Sequence, residues 1–375
     1  MGGVFISGAA MTRFGRRAES LPDLMAEAAR GALSEAGLEH PDALVVSAMN
    51  PEEFTGEGNF ASAIGTHLGL SRTPSFRAET ATSSGAAAVF TAYAAVASGV
   101  YRSVLVVGGE KMTHLPTPRV SEVIGRSIDK YERSYGATMP ALAGLVTRAW
   151  MGHTGATLKD ISLVAVKNHE NGVRNPLAHF QEAVTLEAVM ESRLVADPLR
   201  LFHCCPISDG AAAVVAVSSP APIRIAGIGQ GSDYLPLRYR DNFIGFRASQ
   251  EAARAAYLMA GSGPERVGVA ELHDAFTPFE LIAMEDVGLA PQGKAARMLT
   301  AGETALEGRL PVNPSGGLKA RGHPLGATGI AQIVELCWQL TGRATGRQVE
   351  AHVGLAHSIG GLATTNWVTL LERVE

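Results

Sequence analysis

The feature that most restricts what this 375-residue chain can fold into is an internal repeat. Residues 4–8 form a short apolar run that predicts a strand, and residues 43–48 predict a second, buried one. Between them, residues 21–36 place Leu24, Ala28, Leu33 and Ala36 at helical spacing before Gly37 ends the run. A helix of small residues over 83–99 and a β-branched strand over 103–109 follow. The same order returns about 220 residues later, which marks a duplication. Strands are expected at 223–227, 267–272 and 353–356, a second small-residue helix at 326–342, and EAARAAYLM at 251–259 echoes EAARGALS at 27–34. Two copies of strand–helix–strand–helix–strand predict an α/β fold with parallel pairing through right-handed crossovers. The 42 glycines and 6% aromatic content suit tight turns and closely packed helices.

The repeat divides the chain. Residues 1–112, completed by 206–220, form the expected N-terminal half, and 221–375 the C-terminal half. Residues 113–205 are left as an inserted cap or loop domain, with a helix over 139–151 and a connecting stretch over 167–181. An ordered insertion of that length is usually functional, so it is expected to cover the site.

Charge and cysteine content exclude several classes. With 32 Lys+Arg against 36 Asp+Glu, the net charge of −4 argues against nucleic-acid binding. No apolar run approaches the ~18 residues of a membrane span. The first residues carry no basic segment followed by an apolar one, so no secretion signal is expected. Cys204, Cys205 and Cys337 make no disulfide framework, and an adjacent pair lacks metal-ligand spacing, so a reduced, cytoplasmic, metal-free protein is expected.

Four segments carry candidate chemistry. In NPSGGLKARGHPLGATG, residues 313–329, five glycines and two prolines surround His323 just before a helix. Glycines let backbone approach a ligand, and a helix start favours developing negative charge, so His323 is a candidate base or oxyanion donor. ELHDAFTPF, residues 271–279, puts His273 at the carboxyl end of a buried strand, where open α/β sheets bind ligands. TSSG at 82–85 holds the matching junction of the first half, and AHSIGG at 356–361 a strand-end turn of the second. All four converge if the halves pack about a pseudo-twofold axis.

At this level the chain resembles the thiolase superfamily, most closely its sterol-carrier-protein type. SSGAAA with VLVVGGEKM, KNHENGVRNPLAHF, CCPISDGAAAVV, HDAF, GLKARGHPLGATG and HSIGG occur in family order along essentially the whole chain. The resemblance implies a thiolase fold of five layers (α-β-α-β-α), a homodimer, acyl-CoA substrates, and coenzyme A entering as part of the substrate with no permanently bound cofactor. It implies that His323, with His273 or a water, donates to the thioester oxygen. His357 or Ser358 would stand near the other reacting carbon, and the backbone N–H groups of Thr82 and Gly360 would bind the second oxygen. Ser315, Gly316, Phe276, Met139 and His179 are the implied substrate contacts; His169 and His179 either line the pantetheine channel or serve polar packing, and Arg238, Arg240 and Lys319 are candidates for the CoA phosphates by position alone.

The same resemblance exposes a departure. The family's first-half loop reads Cys-x-Ser-Gly and its cysteine takes the acyl group, whereas this chain has Thr82-Ser83-Ser84-Gly85. A thiol starts near pKa ~8.5 and is lowered at a helix N-terminus, while a hydroxyl needs an adjacent strong base. The family's late Cys-x-Gly-Gly is matched by Ser358 beside His357, and the three remaining cysteines are expected to be buried and inert. The expected activity is therefore carbon–carbon bond making or breaking through a thioester enolate without a cysteinyl intermediate, as in a retro-aldol or retro-Claisen lyase. Family aldolases of that kind work with a small OB-fold acyl-CoA-binding partner and use tyrosines where this chain has His273 and Ser358. An acetyl-CoA acyltransferase using Thr82 or Ser83, and a non-catalytic acyl-CoA-binding or scaffold protein, are the alternatives.

Overall fold

A computed structural model describes residues 3–374; Met1, Gly2 and Glu375, the outermost residues of the two expected halves, lie outside it. Eleven strands are present among the described residues: β1 (Phe5–Met11), β2 (Ala43–Ser47), β3 (Ser75–Ala78), β4 (Ser103–Glu110), β5 (Leu194–Ala196), β6 (Leu199–Arg200), β7 (Gly210–Val217), β8 (Ile223–Ser232), β9 (Val269–Glu271), β10 (Val353–Gly360) and β11 (Thr365–Arg373). Nine of them form a sheet in the order β3-β2-β4-β7-β1-β8-β11-β10-β9, and β5 pairs β6 in the inserted segment. The duplication is visible in that order. Outward from the centre, β1-β7-β4-β2 is matched by β8-β11-β10-β9, and β1 meets β8 through only two residue pairs, Phe5 with Arg224 and Ile6 with Ile223.

The expectation of parallel pairing holds for β2–β3, β2–β4 and β9–β10 and fails elsewhere. β7 runs antiparallel to both β1 and β4, and β11 antiparallel to β8 and β10. The reason is connection length. β11 follows β10 after four residues, too short for a crossover, so the pair closes as a hairpin. The repeat as read from the sequence contained neither β7 nor β11 as a strand of its own.

Five layers follow from the helices. The Leu21–Ala36 helix covers one face of β1, β4 and β7, begun by the Ser20 hydroxyl accepting the Asp23 N–H and ended by Gly37 in the left-handed region. Arg247–Ala260 covers β8 and β11. The Ser84–Ala97 and Leu325–Leu340 helices lie between the sheet halves, and the second touches strands of both.

Small residues make that central layer possible. A Cβ on Gly329 would stand 2.4 Å from the Ala86 backbone nitrogen, and one on Gly326 2.6 Å from the Gly109 carbonyl oxygen. Gly329→Ala is expected to destabilise the protein by at least the roughly 1–3 kcal/mol typical of overpacking, because rigid backbone rather than a movable side chain is in the way. Chemical denaturation reads this directly, and an unchanged midpoint would contradict the packing described.

Helices of residues 113–205 pack against the Thr277–Asp286 helix. Leu142, Val146 and Trp150 from the Met139–Thr154 helix and Ile161 and Val164 from Leu158–Val173 join one apolar cluster with Phe279 and Ile282 of the Thr277–Asp286 helix. Trp150 Nε1 donates to Glu285 Oε2 at 3.1 Å. Among the described residues no helix is long and apolar enough to cross a membrane.

Candidate active site

The loops at the carboxyl ends of the parallel strands converge between the two halves. In the first half the chain turns through Ala81 at φ 54°, a left-handed conformation that costs a non-glycine residue about 1 kcal/mol or more, and so delivers Thr82 just ahead of the Ser84–Ala97 helix. In the second half two buried carboxylates tie the strand end to the glycine-rich loop. Glu271 accepts from the Ser315 N–H (3.0 Å), the Ser315 hydroxyl (2.7 Å) and Arg321 (3.0 Å). Asp274 accepts from the backbone N–H groups of Leu318 (2.6 Å) and Lys319 (3.2 Å) and from Asn168 Nδ2 (2.7 Å). Held by this clasp, the rings of His273 and His323 meet edge to face with centroids 5.0 Å apart.

Both imidazoles open on a cavity of about 320 Å³ whose lining also includes Thr82, Met139, Phe276, Phe279, Cys204 and Cys205. Burial and the Arg321 charge push His323 down to about 3, and burial with the charges of His323, His357 and Arg321 pushes His273 far below its usual range. At neutral pH both rings are uncharged. Thr328 Oγ1 donates to the Pro324 carbonyl oxygen at 2.9 Å and lies 2.7 Å from His323 Nδ1. With its one proton so placed, Thr328 accepts from Nδ1–H, and His323 Nε2 keeps its lone pair. His273 Nδ1 is buried with no hydrogen-bond partner. A buried orphan N–H is rarer than a buried orphan acceptor, which assigns its proton to Nε2.

Position 82 is the decisive one. Thr82 Oγ1 donates to the Ile359 carbonyl oxygen (2.7 Å) and accepts the Gly361 N–H (3.1 Å). Its proton and one lone pair are thus committed to backbone of the opposite half, and the side chain staples the two halves together. The cavity thiols are no substitute as nucleophiles. Burial pushes Cys204 up to about 11 and Cys205 up to about 12, so both are protonated at neutral pH.

The remaining expected residues fall into two groups. Met139 and Phe276 line the cavity with Thr82, His273 and His323; His357, Ser358, Gly360, Ser315, Gly316, His179 and His169 do not. On β10 alternate residues face opposite layers, and His357 faces outward, with Nε2 2.8 Å from Ser249 Oγ. Asn366 Nδ2 donates to that same hydroxyl at 2.7 Å. The Ser358 hydroxyl is buried without a partner, and the Gly360 N–H is directed at Asn366 Oδ1 at 3.4 Å. Ser315 belongs to the Glu271 clasp, and Gly316, at φ 97°, lies against Gly172 where a Cβ would meet backbone at 3.1 Å. His179 is held by Ser208 at 2.9 Å and packs on Phe180.

None of the three basic residues considered for the CoA phosphates is free. Lys319 is buried, donates to the Cys204 carbonyl oxygen at 3.0 Å and faces the Phe180 and Phe202 rings. Arg238 pairs with Asp129 at 2.6 Å, and Arg240 donates to the Tyr234 carbonyl oxygen at 3.0 Å. Among the described residues no group of three or more His, Cys, Asp or Glu is placed to hold a metal ion.

Sequence reasoning missed much of the wall. Cys204 and Cys205, read as inert core thiols, line the cavity, although both are protonated; their place in the CCPISDG motif was the available signal. Met112, Ile124, Leu325, Ile359 and Leu362 carried no local sign of their role.

Comparison with known proteins bears on the family and the fold. Residues 4–220 match the family described as "Thiolase, N-terminal domain", and residues 229–373 match "Thiolase C-terminal domain-like". An acetyl-CoA acetyltransferase of Methanothermobacter thermautotrophicus is 41% identical over 383 residues, covering 99% of each chain. Sterol carrier protein 2 of Bos taurus is 35% identical over 382 residues, covering 95% of this chain and 70% of its own. Among solved structures, the Ltp2-ChsH2(DUF35) aldolase superposes with a TM-score of 0.85 at 26% identity, covering 99% of this chain and 98% of that one.

Proposed function

The chain belongs to the thiolase superfamily, on its sterol-carrier-protein-type branch, and from that premise we propose that it cleaves or forms a carbon–carbon bond β to a coenzyme A thioester by aldol chemistry, without a covalent acyl-enzyme. The observation that carries this reading is the committed hydroxyl of Thr82 beside two neutral imidazoles in one cavity. A retro-aldol step needs a base and an oxyanion donor but no nucleophile. His323 Nε2 takes the proton of a 3-hydroxyl, and that C–O bond becomes a carbonyl as the Cα–Cβ bond breaks. The electron pair passes to the thioester enolate, whose oxygen accepts a hydrogen bond from His273 Nε2–H, and Cα then takes up the proton that His323 removed, which returns that imidazole to its neutral form. A positioned base contributes typically 10²–10⁴-fold and an oxyanion donor 10²–10³-fold.

Coenzyme A is carried as part of the substrate. Because one similar structure is an aldolase whose name pairs it with a DUF35 protein, a small acyl-CoA-binding partner of the OB-fold type belongs to this proposal, as does assembly as a homodimer.

The test is to incubate the protein with 3-hydroxyacyl-CoA thioesters, alone and with candidate partner proteins, and follow products and intact protein mass. The expected result is a shortened acyl-CoA plus an aldehyde or ketone, with no free thiol released and no mass added. An acyl adduct that vanishes in Thr82→Val would overturn the proposal in favour of an acyltransferase with an unusual nucleophile, the reading that the 41% identical acetyl-CoA acetyltransferase favours.

A further inference from the structure

The cavity walls say more about the substrate than the two histidines do. One wall comes from the cluster that joins the second half to the inserted segment, through Phe279, Ile359 and Leu362. Another part of the lining comes from a separate small cluster, through Met112, Leu325 and Ile124. The space is thus a slot between two packed cores, bounded by side chains that resist displacement. No Asp, Glu, Lys or Arg lines it, its two imidazoles are neutral and its two thiols protonated.

We infer that the carbonyl fragment released from the substrate is uncharged, apolar and of medium size, and that Met139 and Ile124 set its length. This rests on the aldol reading given above. Size follows from volume: at ~30 Å³ for each water-sized unit, the 320 Å³ holds on the order of ten non-hydrogen atoms, and with the reacting thioester counted among them the space left still exceeds a two-carbon fragment. Charge follows from desolvation, since a carboxylate on the departing fragment would leave water for a site with no cation to receive it. Met139 and Ile124 are only half-buried, so substitutions there change the slot without opening a core.

The experiment compares kcat/KM for 3-hydroxybutyryl-, 3-hydroxyhexanoyl-, 3-hydroxydecanoyl- and 3-hydroxyadipyl-CoA, in the wild type and in Met139→Trp. Each buried methylene contributes ~0.8 kcal/mol, a factor of about 4, so the decanoyl thioester is expected to exceed the butyryl one by at least 10²-fold. The adipyl thioester is expected to fall about 10³-fold below its uncharged hexanoyl counterpart. Met139→Trp is expected to abolish the decanoyl preference, lowering kcat/KM for the decanoyl thioester far more than for the butyryl one. Equal rates for short and long chains, an adipyl thioester as good as hexanoyl, or a uniform loss in Met139→Trp would each overturn the inference. Equilibrium binding of saturated butyryl-, decanoyl- and adipyl-CoA, which undergo no aldol cleavage, separates the two levels. Chain-length and charge discrimination in binding without any turnover sinks the aldol reading and leaves the slot's selectivity standing; turnover without discrimination does the reverse.

Discussion

Replacing His323 by alanine is expected to lower kcat by about 10²-fold with little change in fold, the lower end of what a positioned base contributes, because the burial that holds the ring down to about 3 also weakens it as a base. The loop does not depend on the ring. Its backbone is held by the Ser208 hydroxyl on the His323 N–H, by the Glu271 clasp and by the start of the Leu325–Leu340 helix. The wild-type pH profile checks the same claim independently. An imidazole with its ordinary pKa would lose basicity as pH falls through ~6.5. Burial and the Arg321 charge keep His323 neutral down to about 3, so no acid limb near 6.5 is expected from it. Steady-state turnover of a cleaved thioester between pH 5 and 8 measures this, and a His323→Ala variant with near wild-type turnover would remove the mechanism.

The second large effect concerns stability. Arg321 and Glu271 are both fully buried and paired at 3.0 Å, with Ser315 bridging them. Removing one member of such a pair strands a charge in the interior and typically costs ~3–5 kcal/mol, whereas replacing both by apolar residues is often neutral. Arg321→Met alone is therefore expected to lower the denaturation midpoint sharply, and Arg321→Met with Glu271→Leu to recover much of the loss. The pH dependence has a definite sign. Burial already pushes Glu271 up to about 7 while Arg321 pulls it back, so without Arg321 the folded state holds that proton to still higher pH. A group with a raised folded pKa stabilises below its unfolded value and loses that contribution as pH rises, so the single variant should be weakest on the alkaline side. Denaturant titrations at pH 6 and 8 measure it, and a single variant as stable as the wild type would show that the clasp does not hold the loop.

Some of this was open to reading from residues alone. The repeat of strands and helices exposed the two halves because period and small-residue composition are local properties, and the glycine-rich loop advertised His323 because only close backbone approach explains five glycines in seventeen residues. His273 followed from its place at a strand end. Antiparallel β7 and β11 did not, since an alanine-rich buried run has the same composition whichever way its neighbours point.

What this sequence determined by itself was the duplicated framework, the identity of the two facing imidazoles and the absence of a cysteine at position 82. Only the tertiary structure decided that His357 turns away toward Ser249, that Thr82 ties its hydroxyl to the Ile359 carbonyl, and that two separate cores leave an uncharged slot between them. Those three depend on contacts between residues more than a hundred positions apart. Such contacts are set by how whole layers pack, which no local pattern records.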